Sequence, residues 1–549
     1  MKMDETKICI GIDLGTTNTS AAYSTLSVDG QISVVDLEIR QKGRGSQRTF
    51  DTLPSIMYVK ENGDVVVGRE AQDLKENSIM GSAEEVRYLE NVKRYMGTQQ
   101  KFVLDGTTYT PIDVATEVLK HVRNYSQIKQ MKSDYYTIIT VPANFNTDQR
   151  TDTMEAARRA GFENIDLYDE PKAAILSFLH EESQKRENKQ LDVSSKKRIL
   201  VIDIGGGTCD ISVEDVVEKD GQYVFAHMAV GRDNLGGVDF DRRIGDELAK
   251  GRLRGIKLTD AEIASLRDMG QKIKESLSDN IEDFVWDNYD GDKAALYEQP
   301  DWLDIVEEED FECSQMREIG GQQITFTMNI RELVNAINPL IYQIEELPAA
   351  NKEQRELNKN MESLINTTLS DHDIDVDSID VIFLTGGMAK CLPLRAALFE
   401  LYQKPIVSPS ETFLAVSRGA ALVNKYRSID ETSKDLMPNA VMMEMEDGSL
   451  KTLIKMGEPV PVSKTVDDVF RTVSRNGVAI RLFEGKNEFD SQLRKINNLY
   501  RITFDEAQFP GREFKIAYKV DKTKRITFTI TFLDNGDTYN IDGQIREGK

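Results

Sequence analysis

Three short apolar runs along the chain each end in a glycine-bearing turn. They are Lys7 to Asp13 before Gly15-Thr16-Thr17, Arg198 to Asp203 before Gly205-Gly206-Gly207-Thr208, and Asp380 to Leu384 before Thr385-Gly386-Gly387. Short apolar runs bounded by glycine predict strands. The first two share a strand-terminal Asp followed by Gly and hydroxyl residues, which suggests two homologous half-domains facing one another, with a ligand in the cleft between them. Helical signals lie between the strands. Asn146 or Thr147 can cap a helix that runs through Ala160 and stops at Gly161, and Thr259 with Glu262 forms a capping box ahead of Ile263, Leu266, Ile273 and Leu277. Alternating strands and helices predict an α/β domain. From Met437 onward the character changes: Pro438, Pro459 and Pro461 appear, and period-two runs replace helical spacing. Ile526, Phe528, Ile530 and Phe532 alternate with Thr527, Thr529 and Thr531, and Asn535-Gly536 then signals a type I′ hairpin. The expected organisation is an α/β domain over 1–427, a linker over 428–440 and a β-rich domain over 441–549.

A chain of 549 residues with 40% apolar content can bury a sizeable core and is expected to form more than one domain. The net charge of -24, against one short basic cluster at Lys196-Lys197-Arg198, argues against a nucleic-acid partner. Acids near the N-terminus and the lack of a long charge-free apolar stretch predict a cytoplasmic protein without a membrane partner. Cys9, Cys209, Cys313 and Cys391 form no C-x-x-C pair, and His121, His180, His227 and His372 are scattered, so no disulfide framework, zinc site or histidine chemistry is indicated. Ile281 to Glu312 is dense in acids, with Lys293 as its lone base, and holds both tryptophans, Trp286 and Trp302. It reads as a solvated insertion on a surface helix hairpin, with a partner-docking site as the alternative.

Candidate chemistry gathers in the glycine turns. In GIDLGTTNT at 11–19, a carboxylate at a strand end is followed by a tight turn. Backbone N–H groups and hydroxyls can there approach phosphate oxygens while Asp13 holds a hydrated Mg²⁺, although an ordinary hairpin turn has the same composition. In VIDIGGGTCDISV at 201–213, three successive glycines carry a high backbone entropy cost unless the chain must approach something closely. Asp203 would serve as a second magnesium-shell carboxylate, acting through water. Thr208 would touch the γ-phosphate, and Asp210 would orient the attacking water. No G-x-x-x-x-G-K-[ST] occurs, which excludes the usual P-loop.

These two loops, LYDEPKAAILSF at 167–178, LTGGMAK at 384–390, N-x-K-R-x-x-G at 91–97 and L-G-G-x-D-F-D at 235–241 occur in an order that resembles the seventy-kilodalton heat-shock chaperones, the heat shock protein 70 family. The resemblance runs from Ile8 to about Gly543. It implies a two-lobed actin-like ATPase of duplicated ribonuclease-H-like halves followed by a β-sandwich. It also implies ATP or ADP as ligand, with Mg²⁺ and with K⁺ as a further candidate. By the same resemblance Lys93 is the cation beside the γ-phosphate and the attacking water. Glu170 lies near the magnesium shell and links nucleotide state to the second domain, with a structural salt bridge as the alternative. Gly15, Thr16, Thr17 and Asn18, Gly205, Gly206 and Gly207, and Gly386 and Gly387 would approach the phosphates and adenosine. The reaction is in-line attack of water on ATP.

The chain departs from the family in places. Lys274 and Ser278 match the adenosine-contacting helix, but Gln271 stands where the family has glutamate and Glu275 where it has an arginine that packs on adenine. Lys390 replaces a second arginine. Each lost guanidinium removes a cation–π contribution of roughly 0.5–2 kcal/mol. Leu436-Met437 before Pro438 is a poor match to the aliphatic linker, and no helical lid is expected after the β-rich region. The expected function is an ATP-dependent chaperone whose β-domain binds extended apolar polypeptide, with a J-domain cochaperone and an exchange factor as partners. A small-molecule kinase of the same superfamily and a non-catalytic ATP-binding scaffold are the alternatives.

Overall fold

Ile8–Asp13 (β1) reads ICIGID, apolar on both faces, as befits a strand buried inside a sheet. It pairs in parallel with Tyr135–Val141 and antiparallel with Asn18–Leu26, so that Asp13 lies opposite Thr140 on one side and Ser20 on the other. With β2 (Asn18–Leu26), β3 (Ile32–Asp36), β4 (Tyr135–Val141) and β5 (Ile165–Asp169), the sheet runs β3-β2-β1-β4-β5. A second sheet comprises β6 (Lys197–Ile204), β7 (Cys209–Lys219), β8 (Gln222–Asp233), β9 (Val381–Thr385) and β10 (Ile406–Val407), in the order β8-β7-β6-β9-β10. The two orders are the same once the strands are renumbered, so the repeat seen in the glycine turns extends to these five strands, and the first sheet adds a sixth, Thr52–Pro54, paired with β2. In the second sheet Asp203 lies opposite Thr385 of the parallel neighbour.

The computed structural model describes residues 8–26, 31–43, 46–80, 86–131, 135–185, 189–250, 252–253, 257–343, 359–426, 435–490, 493–496, 500–503, 511–521 and 523–542. They fall into two units. One takes in Met1–Ser177, Asp215–Met228 and Val416–Lys549, and the other Phe178–Glu214 and Ala229–Ala415.

In the first unit, α1 (Pro111–Tyr125) and α2 (Thr147–Arg159) pack beside the sheet, with the Thr116 hydroxyl donating to the Ala156 carbonyl at 3.4 Å. The cap expected for α2 is present: Asn146 accepts from the Gln149 N–H and the Gln149 side chain returns the bond, while Gly161 follows at φ +88°. α3 (Glu170–Gln184) follows β5 directly. The helix Ala415–Tyr426 lies hard against β1. A Cβ on Gly11 would fall 2.2 Å from the Ser417 carbonyl oxygen, and one on Gly419 would fall 1.7 Å from that of Ala173 in α3. Cys9 donates to the Ala420 carbonyl and Ser24 to that of Ala421.

The first unit also holds a β-sandwich. Glu513–Val520 and Ile526–Phe532 pair in register and bury alternate residues, among them Ile516, Tyr518, Phe528 and Ile530. These share one core with Val441, Met443, Ile454 and Leu482 of a second sheet. Each such side chain contributes about 1.5–3 kcal/mol on burial. The hairpin after Phe532 forms where the alternation places it, but the type I′ turn does not. Gly536 alone in the turn has positive φ, because the Asn535 side chain accepts the Asp537 N–H and so keeps its own backbone right-handed. Of the expected linker, 428–434 lies outside the described residues, Asp435–Leu436 pairs with Pro459–Val460, and Met437 is buried in the sandwich core.

In the second unit, α4 (Gly237–Ala249) precedes α5 (Asp260–Tyr289), which starts with the expected Thr259–Glu262 capping box. α5 runs beyond Leu277 into the acidic segment and stops where Asp290 and Gly291 turn left-handed. Two short helices follow, Lys293–Tyr297 and Trp302–Glu307. Ile281, Val285, Leu296, Tyr297 and Val306 face inward, while Trp286 and most of the acids lie exposed.

Candidate nucleotide site

The first unit assembles Asp13, Lys93 and Glu170. Asp13 ends β1, and Glu170 opens α3 just beyond β5, two strands away in the same sheet. Lys93 sits on the 3₁₀ turn Val92–Tyr95, seated by the buried Val92 and Met96. Its ammonium lies 2.5 Å from the Glu170 carboxylate, with both side chains about nine-tenths buried. Asp13 keeps some exposed surface, yet the protein packed around it and the charge on Glu170 raise its pKa to about 7, against the opposing effects of Lys93 and of the Thr140 hydroxyl at 3.5 Å. A pocket beside them is lined by Leu14, Gly15, Thr16, Val92, Lys93 and Met96. Thr17 and Asn18 are exposed at the same loop.

The second unit assembles the remaining candidates. The Gly205 N–H donates to the Thr208 carbonyl, closing the glycine loop, and the N-terminus of α4 braces it: Gly237 donates to the Gly205 carbonyl and Val238 to that of Gly206. A Cβ on Gly236 would fall 2.5 Å from the Gly207 backbone, so glycine is required at 236 for the two segments to approach this closely. Gly386 adopts φ +83°, and a Cβ there would meet the Asp203 carboxylate at 2.5 Å. Lys274 on α5 bonds Asp241 on α4 at 2.5 Å, Ser278 lies beside the buried Cys391 thiol, and Lys390 stands 6.0 Å from the Phe413 ring, which also flanks Gly387. Burial raises the Asp241 pKa and Lys274 opposes it. Asp210 pairs with Arg232 at 3.4 Å. Sequence reading missed Arg232 altogether. Asp241 lay in plain view, as the last residue of L-G-G-x-D-F-D.

One further cluster adjoins Glu170. Asp169 takes Arg150 at 2.6 Å, Lys524 at 3.1 Å and Lys172 at 3.8 Å. Burial works against its ionisation, but the three cations together hold its carboxyl well below the usual carboxylate range. Lys524, from the sandwich, reaches it from a left-handed backbone at φ 64°, a conformation that costs a non-glycine residue about 1–2 kcal/mol.

The HSP70 family model, described as Hsp70 protein, matches residues 9–285 and 351–527. The chain belongs to the Hsp70 family. The stretch that the match leaves out begins inside the acidic insertion. Chaperone protein DnaK of Thermotoga petrophila is 28% identical over 97% of this chain and 80% of its own length. DnaK of Thermosipho africanus is 28% identical over 93% and 76%, respectively. Membership gives the architecture, an actin-like ATPase with a β-sandwich, and the activity: this Hsp70 is an ATP-dependent molecular chaperone that binds nucleotide, hydrolyses ATP and binds unfolded polypeptide. The matches give no support to the kinase or scaffold readings. Among the described residues no helix is long and apolar enough to cross a membrane.

Proposed function

We propose that Lys93, Glu170, Asp203, Thr208 and Asp210 carry the hydrolytic step, and that the glycine turns at 15–18, 205–207 and 386–387, with Lys274, Ser278 and Lys390, hold the nucleotide. The observation that carries this reading is the buried Lys93–Glu170 pair beside Asp13 at the phosphate-type loop. A cation fixed in a site with little water acts on a transferring phosphoryl group without first having to reorganise.

The donor set suits Mg²⁺. Among the described residues no three His, Cys, Asp or Glu side chains converge on one point. Mg²⁺ keeps several waters and is held by one or two carboxylates together with substrate phosphates rather than by an all-protein cage, which matches Asp13, and Asp203 acting through water. Mg²⁺ held there would neutralise phosphate charge, and K⁺ is a further candidate ion. The domains are proposed as 1–427 for nucleotide, 428–440 as linker and 441–549 for extended apolar polypeptide, in a cytoplasmic chaperone served by a J-domain cochaperone and an exchange factor. A steady-state ATPase assay without phosphoryl acceptor, with and without an apolar peptide and a J-domain protein, tests the scheme. Phosphate release that neither addition accelerates would overturn its chaperone-cycle part.

Glu275 is exposed and bonded to Gln271 at 2.8 Å, so it can be replaced without disturbing the core. Glu275→Arg is expected to tighten ATP binding roughly two- to thirty-fold by restoring a cation–π contact on adenine. Titration calorimetry measures this, and an unchanged affinity would remove α5 from the adenine pocket.

A further inference from the structure

The turn that carries Lys93 is tied down by an acid to which the catalytic reading gives no part. Asp152 lies on α2, 8% exposed, and its carboxylate accepts the Gly97 N–H at 2.7 Å. Gly97 closes that turn. Within it, Met96 donates to the Lys93 carbonyl and Thr98 to that of Tyr95, and Gly97 itself stands at φ +76°. A Cβ on Gly97 would fall 2.8 Å from the Gln149 backbone nitrogen, so the turn rests directly on the start of α2. The same helix sends Arg150 to Asp169, the residue before Glu170. One helix therefore fixes both sides of the Lys93–Glu170 pair, through Asp152 four residues after Lys93 and through Arg150 one residue before Glu170.

We propose that Asp152 is a positioning residue for ATP hydrolysis: its ionised carboxylate sets the height of the Lys93 turn on α2, and turnover depends on that setting. The proposal rests on the reading of Lys93 as the catalytic cation.

Asp152 is poorly placed for stability alone. The charged groups that act on it come from its own helix: Asp148 and Glu155 repel its charge, and Arg159 attracts it. Arg159 in turn is shared with Glu155 at 2.8 Å and with Asp113 of α1 at 3.3 Å, and from the Lys93 turn the group that meets Asp152 is the Gly97 N–H. Burial first, and Asp148 after it, push the Asp152 pKa up from 3.8 to about 6, although the Gly97 N–H opposes the rise. A carboxyl whose folded pKa is raised binds more protons in the folded state. Its effect on stability is therefore neutral below pH 3.8, increasingly unfavourable from there to pH 6, and constant above. A residue that weakens the fold at neutral pH is expected where activity demands it. The ionised form gives Gly97 a charge-assisted bond, about twice as strong as a neutral one, so protonation below pH 6 loosens the anchor.

The full chain is compared with Asp152→Asn, Asp152→Ala and Lys93→Ala by single-turnover ATP hydrolysis and ATP binding between pH 5 and 8. Asp152→Ala should lower the hydrolysis rate by roughly ten-fold, within the 10²-fold that a displacement near 1 Å can cause, with ATP affinity unchanged. Asp152→Asn still offers an oxygen to Gly97, so it should recover most of that rate at neutral pH. It should also lack the acid limb near pH 6 shown by the parent, and melt at a higher temperature than the parent above pH 6 but not at pH 4. A parental rate in Asp152→Ala, or the same acid limb in the parent and Asp152→Asn, overturns the proposal. If Asp152→Ala does not fold, the Asp152→Asn profile decides alone. Lys93→Ala turning over at the parental rate would remove the catalytic reading, and this proposal with it. An inactive Lys93→Ala beside unaffected Asp152 variants would remove only the role of Asp152.

Discussion

Lys93→Ala is expected to lower ATP turnover by about 10²–10³-fold, the loss seen when one preorganised charge or donor is taken from a developing transition state. Two effects add. The charge that would face the phosphoryl group is gone, and Glu170 is left buried without its cation, while the Asp13 carboxyl, already raised by burial and by Glu170, loses the ammonium that opposes that rise. Nucleotide binding should persist, because the phosphate contacts proposed for the glycine turns are made through backbone groups that the substitution does not touch. Removing one partner of a buried pair also destabilises, typically by about 3–5 kcal/mol. Turnover must therefore be read per folded molecule, with folding checked by circular dichroism. A folded Lys93→Ala that hydrolyses ATP at the parental rate would show that another group supplies the charge.

Gly419→Ala is expected to destabilise the chain by about 3 kcal/mol or more, toward the upper end for overpacking. The added methyl would meet a backbone oxygen, that of Ala173, at 1.7 Å, and Gly11 on the facing strand leaves the helix no room to retreat, since its own Cβ would already collide with Ser417 and Ala421. A flexible side chain could swing aside; two backbones cannot. Global stabilities are only about 5–15 kcal/mol, so the midpoint of denaturant unfolding should fall visibly. Activity of the folded fraction should fall too, since Ala173 lies in the first turn of the helix that opens with Glu170. A variant within about 0.5 kcal/mol of the parent, the usual span for a neutral surface change, would mean that the contact is slack.

What could be read from the sequence was local. Apolar runs ending at Asp13 and Asp203, the caps at Asn146 and Thr259, and the alternation at 526–532 each state their own structure within a few residues, and the strands and helices formed there. The turn at Asn535 went astray because a side-chain hydrogen bond competed with the backbone geometry that the dipeptide usually signals. The candidate site was legible in its loops and illegible in its partners. Lys93 and Glu170 were singled out by family resemblance, but their pairing spans 77 residues, and the ties of Asp152 to Gly97 and Lys524 to Asp169 span 55 and 355. No periodicity encodes such distances, because they are set by which strands adjoin and which helix covers them.

The contact between β1 and the helix Ala415–Tyr426 has a consequence for how the chain is made. Cys9 and Ala420 are separated by 411 positions, and the strand that ends in Asp13 has no cover on that face until the helix emerges from the ribosome. At about 5–20 residues per second, that interval is roughly 20–80 s. During it, the buried run ICIGID is an apolar segment awaiting a partner, the kind of segment that chaperones hold.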